Sequence, residues 1–328
     1  MFKKYLDKMM PASSPPETAK LEDYIRKAWT KDPSVKPFTT AEATGSAGEE
    51  EGTPPPPTLR RDRPNRIIYY IGSFHPPHLG HAALLDHAYR HSNDPDGFNA
   101  VAVFVMAHGN SWVQRKVRND AQPLQLTFDQ RRRLVEDGLG EERRRWLWVL
   151  PRDVNAWWVF QAKLHEACAR DGFALEFHEL LGPDYVKADR PQCHGWHGVV
   201  TSNICRTADF DRGAGHSLLP MVGFQPWEQE QKNQQQQQQG PDQGAEETNN
   251  NSDSDSEVWM CRKHVQGHGD YSIRYIRATQ PGLDPDLSST QLRSIIAASP
   301  PDELAVNLRG LAMNPELLIQ VMQEAKEQ

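Results

Sequence analysis

The sequence predicts a doubly wound α/β fold, a parallel sheet with helices on both faces. Short β-branched and aromatic runs alternate with amphipathic segments of about 10 to 15 residues, and the first such run closes on a glycine turn. Only 37% of the 328 residues are hydrophobic, 25 are proline, and mean hydropathy is -0.73. That composition leaves material for one packed domain rather than the two that length alone implies.

The elements follow in order. Residues 1–63 are expected to form a mostly disordered N-terminal extension, because SSPPE, GSAGEEEG and TPPPP offer nothing to bury. Within it, Leu21, Tyr24, Ile25 and Ala28 recur at helical spacing and predict a short helix packed back on the domain. From Arg66 the pattern changes: RIIYYIG reads as a buried strand ending at Gly72, and HAALLDHAYRH as a helix with Ala82, Leu84, Leu85 and Ala88 on one stripe. NAVAVFVMAHG is a second strand, TFDQRRRLVEDGL a helix capped by Thr127, and WLWVLP a third strand. WWVFQAKLHEACARDG is a helix closed by Gly172; ALEFHELLG and GVVTSNI follow as strands and YSIRYIRA as the last. Two helices end the chain, TQLRSIIAA and a stretch from Glu303 to about Lys326 broken near Asn314 and Pro315. The domain thus spans 64–328, interrupted by a Gln/Asn-rich acidic insertion at 228–257 that is expected to be a disordered loop. That insertion is read as a tolerated loop expansion, with recruitment of partners as the alternative.

Charge and cysteine usage exclude several classes. The net charge is -7, and the 228–257 segment alone, with eight acidic residues and one lysine, accounts for it. No basic field steers the protein to nucleic acid or an acidic membrane. No apolar stretch spans a bilayer, and the N-terminus lacks the apolar run of a secretory signal; Asp7 and Glu17 speak against a mitochondrial leader. Four cysteines are too few for a disulfide scaffold, so the expected setting is intracellular, cytoplasmic or nuclear. Cys193, His194, His197, Cys261, His264 and His268 are soft ligands, but their spacing is too loose to assign a metal site.

In doubly wound sheets ligands bind beyond the carboxyl ends of the strands. Gly72, Ser73 and Phe74 lie there, followed by His75 and by His78 and His81 in H-x-x-H spacing at a helix start. Gly80 removes a side chain where a phosphate approaches the backbone, and free N–H groups of the helix end add an anion site. The plainer alternative makes both histidines polar caps. Near the C-terminus, LSSTQLRS places Ser288, Ser289 and Thr290 at a helix start with Arg293 one turn on, a second set of phosphate donors.

GSFHPPHLGH and LSSTQLRS together resemble the two phosphate-binding motifs of the nucleotidylyltransferase superfamily, and within it the fungal nicotinamide mononucleotide (NMN) adenylyltransferase-like proteins. The resemblance covers about Arg66 to Gln320. It implies a Rossmann-like nucleotidylyltransferase fold, ATP with Mg2+ and a mononucleotide acceptor as ligands, and direct transfer of AMP without a covalent enzyme intermediate. On it, His78, His81 and Arg293 are the catalytic candidates. Gly72, Ser73, Phe74, His75, Gly80, Ser288, Ser289 and Thr290 line the nucleotide site. LLGPDYV is similar to an L-x-G-x-D element, so Gly182 and Asp184 become contacts to adenosine or pyridine nucleotide, the alternative being an ordinary Gly-Pro turn. Lys116, beside Arg115, either reaches the ATP phosphates or forms a solvated charge pair with it. Trp157 and Trp158 fall near the family's ring-stacking tryptophan; alternatively one is core and one surface.

Two departures stand out. His75 occupies a position that is commonly Asn or Asp, and Trp196, Ser202, Asn203 and Arg206 replace a shorter connection. A cytidylyltransferase shares H-x-G-H but has R-T-x-G-I-S-T-S where this chain has DPDLSSTQLRS. A class I aminoacyl-tRNA synthetase would carry a K-M-S-K-S element, absent here. A nucleotide-binding scaffold without catalysis is the third alternative.

Overall fold

The computed structural model describes residues 17–29, 35–38, 56–118, 124–191, 197–213, 215–230, 256–267, 269–278 and 287–324. Most of the proposed N-terminal extension, the centre of the polar insertion, Cys193, His194, Trp196, His268 and Lys326 lie outside them.

The chain is an α/β protein built on an eight-stranded, mostly parallel sheet. Six strands are parallel: β3 (Asn65–Gly72), β4 (Ala100–Ala107), β5 (Leu147–Val149), β6 (Leu175–Leu181), β7 (Gly198–Ser202) and β10 (Gly269–Arg277). Their order is β5-β4-β3-β6-β7-β10, extended by the antiparallel β9 (Glu257–Val265) and β8 (Glu228–Gln229). The order reverses between β3 and β6, as in Rossmann-like sheets, so the crevice beyond the carboxyl ends of these two strands is where this architecture places ligands.

Alternation sorts the strand side chains onto two faces. Ile68, Val103 and Val105 pack with α2 (Leu79–Arg90) and α4 (Phe128–Arg143) through Leu84, Leu85, Ala88, Val135 and Leu139. Ile67, Tyr69, Phe104 and Met106 pack on the opposite face with α5 (Val154–Arg170) through Trp157, Phe160 and Leu164. Local signals act as the sequence predicts: Thr127 caps α4, its Oγ1 accepting the Gln130 N–H at 3.3 Å, and Gly172 follows α5 at φ +81°. A third layer of α6 (Ser289–Ala298), α7 (Leu304–Leu308) and α8 (Pro315–Glu324) packs on Leu126 and Leu134. No helix among the described residues is long and apolar enough to cross a membrane.

Order extends beyond the expected boundaries in three places. The predicted helix in the extension exists as α1 (Leu21–Ala28), with all four stripe residues buried against α5. Burial of each large apolar side chain contributes about 1.5–3 kcal/mol. The Tyr24 hydroxyl also donates to Asp171 at 2.7 Å, and β1 (Thr18–Lys20) pairs with β2 (Thr58–Arg60). Thus parts of 1–63 belong to the core. The ends of the insertion are ordered too: Glu230 meets Arg274, and Glu257 meets Arg277 at 2.8 Å. Finally, β9 was not expected; it pairs with β10 along nine residues of each strand.

Candidate active site

The loop after β3 is shaped by Phe74. Its backbone sits at φ +46°, and its buried ring folds over Gly72, where a Cβ would come within 2.6 Å of it. Gly72 is therefore a packing necessity, and the Phe74 ring forms a wall, edge-on to Tyr70 and to His81 at 5.0 Å. His75 also turns inward. It is buried, and its Nε2 lies 2.7 Å from the Leu124 carbonyl, to which it donates. The ring is committed there, so the expectation that it faces a nucleotide is corrected.

His78 is the N-cap residue of α2 and His81 the third residue of its first turn. The His78 N–H donates to His81 Nδ1 at 3.1 Å, and the two rings lie 3.6 Å apart. Since Nδ1 of His81 accepts, its proton resides on Nε2, a donor for a ligand. Nδ1 of His78 is buried over Gly80, where a Cβ would approach to 2.9 Å, and the two histidines close the first turn as a capping box, as the plainer alternative expected. Burial, then Arg206, pushes His78 down to about 4. Burial, then His78, holds His81 well below the ordinary imidazole range. Both are neutral donors at pH 7. The helix end offers fewer free N–H groups than expected: Leu79 N–H donates to Leu311 O at 2.9 Å and His81 N–H to His78 O at 2.9 Å.

The start of α6 closes on this loop. Ser288 caps the helix through the Gln291 N–H at 3.2 Å. Ser289 Oγ donates to Pro76 O at 2.8 Å, and Arg293 donates to His75 O at 3.0 Å and to Thr290 Oγ1 at 3.3 Å. The two motifs, 213 and 218 residues apart at these contacts, form one constellation. Ser289 uses its proton on the loop and so acts as a tie.

Neighbouring strand ends complete the crevice. Beyond β6, Asp184 pairs with Arg206 at 3.0 Å, and Gly182 has no side chain because a Cβ would meet Asp184 Oδ1 at 2.6 Å. Ser202 and Asn203 do structural work instead, Asn203 bonding the Ala278 backbone in both directions at 2.6 and 3.2 Å. Beyond β4, helix α3 (Asn110–Val117) carries Lys116, whose pKa is lowered by burial and by Arg293, with Arg206 adding to it and Asp184 opposing. His81 and His108 in turn feel Lys116, which places it at the same crevice.

Sequence reasoning missed Trp112. It is 49% exposed, stacks on His108 at 4.8 Å and has the Arg115 guanidinium 5.5 Å from its ring centroid. The signal was present: HGNSW leaves β4 by the same strand–glycine–helix step as GSFH leaves β3. Of the adjacent tryptophans of α5, Trp157 is wholly buried between Tyr69 and Phe177 and has no face for a ligand, whereas Trp158 is exposed. That corrects Trp157 as a stacking residue.

A larger cavity lies elsewhere. About 1250 Å³ in volume, it opens toward the amino ends of the strands and is lined by Arg66, Phe98, Glu176, His178 and Arg274 among others. Its charges satisfy one another, Arg66 with Glu176 at 2.6 Å and Arg274 with Glu230. Among the described residues no cluster of three His, Cys, Asp or Glu could hold a metal ion, and Cys168, Cys205 and Cys261 are free thiols.

The chain is thus an α/β protein whose sheet reversal gathers His78, His81, Lys116, Arg206 and Arg293. No protein-family model matches the chain, and a search of curated proteins found no match.

Proposed function

We propose that the chain is a nucleotidylyltransferase, transferring AMP from ATP to NMN or its deamidated form and releasing pyrophosphate. One observation carries this reading: the two segments that resemble the superfamily's phosphate motifs meet, Ser289 on Pro76 and Arg293 on His75, at the carboxyl edge of the sheet. An oxygen of the acceptor phosphate attacks the α-phosphorus; the bond from that phosphorus to the bridging oxygen of the β-phosphate breaks, and pyrophosphate leaves. No protein nucleophile is required, so catalysis rests on positioning and on charge stabilisation. His78 and His81 donate neutral N–H groups to phosphate oxygens, Thr290 adds its hydroxyl, and Arg293 with Lys116 supplies positive charge. Magnesium would arrive on the triphosphate: the described residues provide no carboxylate cage, which suits an ion held by phosphate and water.

The test is incubation with ATP, magnesium and either NMN or nicotinic acid mononucleotide. Dinucleotide and pyrophosphate are expected with at least one acceptor; neither product with either acceptor overturns the reading. His75 favours one alternative, a nucleotide-binding scaffold without turnover, because its ring is committed to Leu124 and adds no donor to the crevice. ATP binding without product in the same assay identifies that case.

A further inference from the structure

Arg131, in the first turn of α4, is wholly buried. Buried arginines normally face a carboxylate. This one does not among the described residues; burial alone acts on it, lowering its pKa to about 10 and leaving it charged at neutral pH. Its guanidinium donates instead to four neutral acceptors: Ser73 O at 2.8 Å, His108 O at 2.7 Å, Asn110 Oδ1 at 3.2 Å and Leu126 O at 3.3 Å. Ser73 follows β3, His108 and Asn110 follow β4, and Leu126 precedes α4. One side chain therefore ties the segment carrying His78 and His81 to the segment carrying Trp112 and Lys116, and joins both to the approach of α4.

We infer that Arg131 is a positioning residue that sets the floor of the crevice, and that its charge, which meets no carboxylate among the described residues, is balanced by a bound polyphosphate. The inference rests on the anion-binding reading of the crevice. A buried cation without a counter-ion weakens the empty protein and strengthens the complex, so the two states respond in opposite senses when the charge is cancelled.

Asn110→Asp cancels it in place, setting a carboxylate beside the guanidinium while the other ties persist. With inorganic tripolyphosphate as the probe, this variant should melt at a higher temperature than wild type when empty and bind at least tenfold more weakly. In the background of Arg131→Met, the same Asn110→Asp change should no longer raise the melting temperature. Arg131→Lys keeps the charge and loses the fork. It should bind tripolyphosphate within about threefold of wild type and preserve its salt dependence, while turnover falls at unchanged KM for ATP. Asn110→Asp with unaltered melting and unaltered binding overturns the inference, as does Arg131→Lys with a lost salt dependence. A wild-type protein that does not bind tripolyphosphate refutes the anion-binding reading itself, a result distinct from either variant outcome.

Discussion

The two concavities of this molecule handle charge in opposite ways. In the large amino-end groove Arg66 is met by Glu176, Arg274 by Glu230 and Arg262 by Glu228. In the carboxyl-end crevice Arg131 is held by carbonyls and an amide, and Lys116 feels Arg293 and Arg206 against the single opposing Asp184. Volume favours the groove; electrostatics favours the crevice. Where a protein has already neutralised its cations, an anion gains little by entering, because the field it would respond to has been cancelled. The contrast teaches that, on the proposed function, unbalanced charge is a better guide than empty space to where a polyanionic ligand would bind.

The contrast can be broken most sharply at His81. Replacing it with alanine is expected to raise the reaction barrier by about 2.7–4 kcal/mol, roughly a hundredfold to a thousandfold in pyrophosphate release, while the lost cap bond from the His78 N–H costs only about 1 kcal/mol of stability. Near-normal turnover in a folded His81→Ala protein would remove the crevice from the chemistry. Arg274→Ala should do the reverse in the groove. It leaves Glu230 without its partner and costs about 3 kcal/mol of unfolding free energy by urea titration, with KM and kcat unaltered.

Two histidines compare the regions within one experiment. His78 in the crevice and His178 in the groove are each pushed down to about 4, chiefly by burial. An unfolded histidine titrates near 6.5. The folded values are depressed, so both contributions to stability are complete above about pH 6.5. They are lost as the pH falls toward 4, because the unfolded chain then takes up protons that the folded chain does not. Tripolyphosphate should raise the NMR-observed pKa of His78 and leave His178, already beside Glu176, where it was. Equal movement of both would erase the distinction. The smallest expected effect lies outside both concavities: Tyr24→Phe should lose about 1 kcal/mol of stability through its bond to Asp171 and leave nucleotide binding intact.

Much of this was legible in the sequence where the signal is local. The apolar periods located α1, α2, α4 and α5, the Thr127 cap was visible from its own turn, and the two motifs led to segments that do meet. What sequence could not convey is direction. Trp157 and Trp158 are adjacent and chemically identical, and only the helix phase against Tyr69 decides which is buried. His75 looked like a donor, but its partner is a carbonyl 49 positions away. Glu230 and Glu257 were counted with the acidic insertion because composition cannot register arginines 44 and 20 residues distant that hold them. Arg131, in a run of three arginines, looked like solvated surface charge until its three loops were in view.

The bond from Leu79 to Leu311 has a consequence in time. Residues 73–81 are synthesised well before the partners that fix them: Ser289 lies 213 positions after Pro76 and Arg293 lies 218 after His75, with Leu311 later still. At roughly 5–20 residues per second the nascent chain spends on the order of ten seconds or more with this loop lacking its late partners. Ligand competence should therefore emerge abruptly with α6 to α8, so that a chain arrested before residue 287 carries the histidines but no finished crevice.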